Sequence, residues 1–186
     1  GKDTILKTYF AAHGDFEFSV STITRPKRDK SDDEKYNFTS RENFERLIKD
    51  DKLLEYAEYC GNYYGTPREP IENWINDGKD VFVEVETVGA AKIKEKMPDA
   101  VSIFILPPSL AVLKKRLSGR ATETAEQLEK RLDKAVLEMK RAVHYDYVVV
   151  NDRLEDAAED FERIILSDRR KTERNINLIN EVLENA

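Results

Sequence analysis

Four groups of residues have the types and spacing to handle a phosphorylated, nitrogen-rich ligand. The chain opens Gly1-Lys2-Asp3-Thr4 ahead of an apolar-periodic stretch. A phosphate-binding loop ends in this way. Backbone N–H groups wrap phosphate oxygens, the lysine reaches the terminal phosphates, and a hydroxyl residue opens a helix. The second group is "STITRPKR" at 21–28, where Ser21 precedes Arg25 and Arg28, with Tyr36 beyond an acidic loop. Guanidinium groups stay charged and grip phosphate through two parallel N–H donors. The third is "LKKRLSGRATET" with "EKRL" after it, which sets Arg116, Arg120 and Arg131 around a turn at Ser118-Gly119. Arginines on both sides of a hinge-like turn suit a clamp closing on phosphate. The fourth is Glu55, Thr66, Glu84 and Glu86. A carboxylate only accepts hydrogen bonds, and it matches the N1–H and N2–H₂ donors of guanine. Each pattern also has an ordinary alternative. These are a terminal dipeptide, a solvated basic turn with Tyr36 in a core, two charged amphipathic helices, and surface acids in a chain with 37 Asp and Glu.

The elements that must position these residues alternate in type. Ile5, Leu6, Tyr9 and Phe10 recur at helical spacing and predict a helix over 3–12. "FEFSVS" at 16–21 alternates and predicts one strand, and 26–35 is a polar loop. Ser40 is placed to cap a helix over 41–50. The run 53–65 predicts one or two strands with a turn near Gly61, followed by a helix over 67–77 that stops at Gly78. "DVFVEVE" at 80–86 reads as a buried strand, 88–97 as a helix and 101–106 as a strand. Ser109 is placed to cap a helix over 110–118. A helix over 124–142, a strand over 146–150 and one long helix from 154 to the end complete the chain. Strands alternating with helices predict an α/β fold with a parallel sheet, whose ligands gather at the carboxyl ends of the strands.

Composition narrows the functional class. Lys plus Arg is 31 and Asp plus Glu is 37, so the net charge is 31 − 37 = −6. That argues against a nonspecific nucleic-acid binder, which carries a basic excess, but leaves room for a small anion held by local arginines. The single cysteine, Cys60, cannot form an internal disulfide, and a reducing compartment is the default. The apolar runs "VSIFIL" and "YVVV" fall far short of the roughly 20 residues of a membrane span.

Taken in order, "FSVSTITRPKR", "EYAEYCGNYYGTPRE", "DVFVEVETVGA", "FILPPS", "LKKRLSGRATET" and "YDYVVVND" resemble the guanylate kinases, which are P-loop nucleoside monophosphate kinases. The resemblance covers essentially all 186 residues. It implies a P-loop kinase fold: a parallel-sheet core flanked by helices, a small mixed α/β GMP-binding subdomain and a helical lid. The expected boundaries are core 1–32, 81–117 and 143–186, GMP-binding subdomain 33–80, and lid 118–142. The strand and glycines that begin the family's phosphate loop are expected ahead of Gly1 and are missing from these residues.

The implied activity is transfer of the γ-phosphoryl of ATP to GMP, giving ADP and GDP, with Mg²⁺ carried mainly by the ATP phosphates. By resemblance, Ser21, Arg25, Arg28, Tyr36 and Tyr64 hold the GMP phosphate, and Glu55, Thr66 and Glu86 read the guanine. Gly1, Lys2, Thr4 and Asn151 lie on the ATP side, and Arg116, Arg120 and Arg131 close on the transferring group. Lys2, Arg25, Arg116, Arg120 and Arg131 form the expected catalytic set. GMP and ATP are the implied partners, with no nucleic acid or membrane, and the implied compartment is the cytoplasm. The chain departs from the family pattern at Asp3, at Ala121 in place of a lid glycine, and in a 29–35 loop one residue short. The alternative that the resemblance leaves is a guanylate-kinase-like module that keeps the fold and binds proteins without catalysis.

Overall fold

In the computed structural model, which describes residues 1–28, 36–118 and 125–185, the opening apolar periodicity becomes helix α1 (Lys2–Ala12). The chain continues through β1 (Phe16–Phe18), β2 (Ser21–Ile23), β3 (Tyr36–Phe38), α2 (Arg41–Lys49), β4 (Leu53–Tyr59) and β5 (Asn62–Pro67). Next come α3 (Arg68–Asn76), β6 (Asp80–Phe82), α4 (Thr87–Lys96), β7 (Ile103–Leu106) and α5 (Leu110–Ser118). The last elements are α6 (Ala125–Lys140), β8 (Tyr147–Val150), α7 (Leu154–Arg169) and α8 (Ile176–Glu184). They divide into two units, Gly1–Ala12 with Val101–Ala186, and His13–Ala100.

In the first unit, β7 and β8 pair in parallel, from Ile103 opposite Tyr147 to Leu106 opposite Val150. Ser102 and Asp146 lock the entry to this pair, since both the N–H and the hydroxyl of Ser102 donate to Asp146 Oδ2, at 2.8 and 2.7 Å. Helix α1 lies against α7, where the Tyr9 and Phe161 rings meet edge to face with centroids 5.5 Å apart. Ile5, Val149 and Ala157 are fully buried and belong to the same unit. None of the described helices is long and apolar enough to cross a membrane.

In the second unit, β1 and β6 form a parallel pair, and β3-β2-β5-β4 form a mixed sheet in that order. Strands β4 and β5 make a hairpin in which Tyr59 pairs with Asn62, leaving the two residues Cys60 and Gly61 as the turn. Their φ angles, 48 and 74, are both positive, as a tight turn matched to strand twist requires. Leu54, Ile71 and Ile93 form the centre of a core, with Trp74, Val81, Val83, Val85 and Met97 against it.

Local signals act as their chemistry predicts. Ser40 Oγ accepts from the Asn43 N–H at 3.1 Å and starts α2. Ser109 Oγ accepts from the Val112 N–H at 3.2 Å and starts α5. Gly78, at φ 77, follows α3 in the left-handed conformation that ends many helices.

Three expectations change. "FEFSVS" is two strands rather than one: Ser19 N–H still donates to Phe82 O at 2.9 Å, after which the chain leaves the β1–β6 ladder and Ser21 joins the other sheet. The strand expected over 80–86 stops at Phe82, where its partner β1 ends. Val83 and Val85 are instead spent on packing against the Leu54–Ile71–Ile93 core. The long final helix breaks between Arg169 and Ile176. There the Asp168 carboxylate draws in Lys171 Nζ at 2.8 Å and Arg174 Nε at 2.5 Å, and the Asn175 amide donates to the Arg169 and Lys171 carbonyls, each at 2.8 Å.

Candidate nucleotide site

The register of the mixed sheet sorts its side chains. Ser21 lies opposite Tyr36, and Ile23 opposite Phe38 and Tyr64. Ala57 also lies opposite Tyr64, and Glu55 opposite Thr66. Residues directly opposite share a face, as do residues two apart on one strand. Ser21, Tyr36, Glu55, Tyr64 and Thr66 therefore share one face. Five of the residues expected around GMP, drawn from four strands, are brought together by pairing alone.

Tyr56, Tyr63 and Gly65 take the opposite face, which α2 covers. The Phe44 ring stacks on Tyr63 with centroids 5.1 Å apart. A Cβ on Gly65 would lie 2.9 Å from Phe44 Cζ and 3.1 Å from the Glu55 carbonyl oxygen. The glycine is what lets α2 lie this close to the sheet.

Glu55 is the centre of the polar face. The buried Thr66 hydroxyl donates to Glu55 Oε1 at 2.7 Å. Burial pushes the Glu55 carboxyl above the ordinary range, and nearby Glu86 adds to that, while the Thr66 hydrogen bond and Lys92 oppose it. The result is a partly buried acceptor fixed by one donor and open to another. Glu86 is exposed at the N-terminal boundary of α4.

Strand β4 is an edge of the sheet, and α4 runs along it. Lys92 Nζ donates to the Tyr56 carbonyl at 2.9 Å and sits 5.0 Å from the Tyr56 ring centroid. Lys96 Nζ donates to the Leu53 carbonyl at 2.8 Å and pairs with Asp51 at 2.7 Å. The edge carbonyls on either side of Glu55 are thus satisfied by two lysines one helical turn apart. Gly89 in the first turn of α4 is buried against the Glu55 side chain.

At the phosphate-suited end, Arg25 is buried and its guanidinium carbon lies 5.1 Å from the Tyr36 ring centroid and 5.8 Å from that of Phe38. Arg25 Nη1 donates to the Pro26 carbonyl at 2.9 Å. Arg28 is exposed in the segment that follows.

The first unit holds the other expected group. Gly1, Lys2 and Thr4 are exposed at the start of α1. The Asn151 side-chain amide lies against Gly1, on the side where a Cβ would project. Arg116 reaches the same place: Nη1 donates to the Asn151 carbonyl at 2.7 Å and Nη2 to the Asp152 carbonyl at 3.0 Å. Its fork holds the backbone after β8. Arg131 is exposed on α6. Arg120, Ala121, the Gly119 side of the expected turn and the 29–35 loop lie outside the described residues.

Sequence reasoning missed Gly89 and Lys92. A glycine inside a helical pattern was the available signal, because it invites a packing or functional explanation. Lys92 carried none, since its partner is a backbone carbonyl.

Parallel strands joined through helices, with a mixed sheet whose polar face carries hydroxyls and a carboxylate, define an α/β protein of the P-loop kinase class. The guanylate kinase family model matches residues 1–168. The guanylate kinase of Lactococcus lactis is 44% identical over 187 residues, covering 98% of this chain and 91% of the relative. That of Oceanobacillus iheyensis is 43% identical, covering 100% of this chain and 91% of its own length. The crystal structure of guanylate kinase from Anaplasma phagocytophilum superposes with a TM-score of 0.74 at 32% identity, over 92% of this chain and 84% of that one. The chain belongs to the guanylate kinase family.

Proposed function

We propose that this chain transfers the γ-phosphoryl group of ATP to GMP, yielding ADP and GDP. The observation that carries the reading is the Glu55–Thr66 pair. It is an acceptor of fixed orientation on the sheet face that also bears Ser21, Tyr36 and Tyr64, in a chain of this family. Guanine offers two donors on one edge, and the Glu55 carboxylate accepts both with Thr66 holding it in line. Glu86 is the second acceptor near the base. Ser21, Tyr36 and Tyr64 donate hydroxyls to the GMP phosphate, and Arg25 and Arg28 supply charge. Arg25 stays ordered for that task because its guanidinium rests on two aromatic rings.

On the ATP side, the start of α1 offers N–H groups and Lys2 to the phosphates. Asn151, held in place through Arg116, lies by the adenine. Arg120 and Arg131 neutralise charge on the transferring group. Mg²⁺ would enter as a companion of ATP, carried mainly by its phosphates. When bound, it would supply positive charge to offset that of the phosphates. Phosphoryl transfer asks the protein for positioning and charge rather than a nucleophile, which matches these residue types. A cytoplasmic workplace fits the exposed free thiol of Cys60.

The test is base choice. ADP formation should be faster with GMP than with AMP by roughly 10⁴ in kcat/KM, because AMP leaves the partly buried Glu55 carboxylate facing a base without matching donors. Equal turnover of the two would overturn the assignment of Glu55, Thr66 and Glu86.

A further inference from the structure

We propose that Gly89 is a specificity-determining position: the space left by its missing side chain seats the Glu55 carboxylate, so helix α4 sets where the base reader points. The inference rests on the reading of Glu55 as the acceptor for guanine.

A Cβ at Gly89 would lie 2.9 Å from Glu55 Oε2, 3.1 Å from Cδ and 3.3 Å from Cγ. Three atoms of one side chain thus border the space where a methyl group would go. The conformation of Gly89 does not explain the glycine, because among the described glycines only Gly61 and Gly78 have positive φ. Alanine is also the better helix former in the first turn of α4. What the glycine supplies is room.

The room cannot be regained by sliding the helix. Lys92 and Lys96 tie α4 to the Tyr56 and Leu53 carbonyls, one on each side of Glu55. Ile93, between them, is buried in the core with Leu54. On its other side the carboxylate is held by the buried Thr66 hydroxyl at 2.7 Å. Three rigid neighbours surround one rotatable group. A methyl at position 89 moves the carboxylate, because backbone and core resist more than the end of a glutamate does. The change therefore falls on base recognition rather than on folding.

The experiment is Gly89→Ala in the full chain, assayed by ADP formation with GMP and with inosine monophosphate, which lacks the 2-amino donor. The KM for GMP should rise about tenfold or more, with kcat at saturating GMP and the KM for ATP within about twofold. The preference for GMP over inosine monophosphate should shrink, and the melting temperature should not fall. In a Glu55→Asp background, where the shorter side chain draws the carboxylate back, adding Gly89→Ala should cost about threefold or less. An unchanged KM for GMP would overturn the inference. So would an undiminished cost in the Glu55→Asp background, or a variant that loses stability in step with activity. Failure of the unmodified protein to turn over GMP would instead overturn the proposed function, and this inference with it.

Discussion

Replacing Thr66 by valine keeps the shape of a side chain that is 1% exposed and deletes the hydroxyl that donates to Glu55 at 2.7 Å. A hydrogen bond to a charged acceptor contributes about 1.5–3 kcal/mol. Glu55 is only partly buried, so water recovers a share, leaving a net loss of about 1–2 kcal/mol. If that loss falls on the guanine-reading conformation, kcat/KM for GMP drops about five- to thirtyfold, at about 1.4 kcal/mol per tenfold. The pH profile supplies an independent check. The Glu55 carboxyl already sits above its ordinary range through burial and Glu86, with Thr66 and Lys92 pulling it down. Only the ionised form accepts both guanine donors. Acidification should therefore weaken GMP use as Glu55 protonates, and deleting the Thr66 hydroxyl should move that acid limb to higher pH. A coupled assay of ADP release at varied GMP between about pH 5 and 8 reads both effects. A Thr66→Val enzyme with the parent's KM and the parent's acid limb would refute the view that this hydroxyl holds the carboxylate.

Two further outcomes follow from ion pairs and forks elsewhere. Arg116→Ala frees the Asn151 and Asp152 carbonyls and should raise the KM for ATP about fivefold with that for GMP unchanged, at about 1 kcal/mol for exposed bonds to a charged donor; Arg116→Lys should not restore it, since an ammonium lacks the fork. Equal effects on both nucleotides in initial-rate kinetics would speak against this division of labour. Asp168 is 8% exposed; burial pushes its carboxyl up, but Lys171 and Arg174 more than offset this and hold it below the ordinary Asp range. An acid depressed in the folded state contributes stability that is complete above its unfolded pKa and lost as pH falls through the folded one. Asp168→Asn should cost about 1–2 kcal/mol at neutral pH, less than a fully buried pair because both cations are partly exposed. Urea melts should show that gap closing towards about pH 3, and a constant gap would contradict the assignment.

Features written in local chemistry were legible in the sequence. Ser40 and Ser109 cap the helices they precede, Gly78 ends α3, and the run around Gly61 turns into a hairpin. Glu55 and Thr66 could be singled out because a carboxylate and a hydroxyl are recognisable donors and acceptors wherever they lie. What was not legible depends on partners distant in sequence. "FEFSVS" alternates without interruption, yet its halves join different sheets, because the ladder partners lie near Phe82 and Tyr36. The break after α7 arises from contacts of Asp168 with cations three and six residues ahead, within a run whose polarity is equally at home on a helix. Arg116 has the type expected of a phosphate clamp but spends its donors on carbonyls, which leave no trace in composition. Gly89 acquires meaning only when a helix is laid along a strand edge.

The two-residue turn at Cys60-Gly61 has a consequence beyond joining β4 to β5. Strand positions obey parity: odd and even residues look in opposite directions, and only an even count of steps preserves the assignment. Glu55 and Thr66 meet because the turn fixes the sum of their numbers, as it does for Tyr59 and Asn62. One inserted residue that slipped β5 by a single step would invert that strand alone. Thr66 would then carry its hydroxyl into the apolar surroundings of Phe44, and Tyr64 would leave the polar side with it. Such a hairpin would keep its composition and most of its hydrogen bonds while its chemistry was turned inside out. The turn therefore works as a counter for the base-reading face, and a length change there should be tolerated less than in a loop whose strands carry no ligand groups.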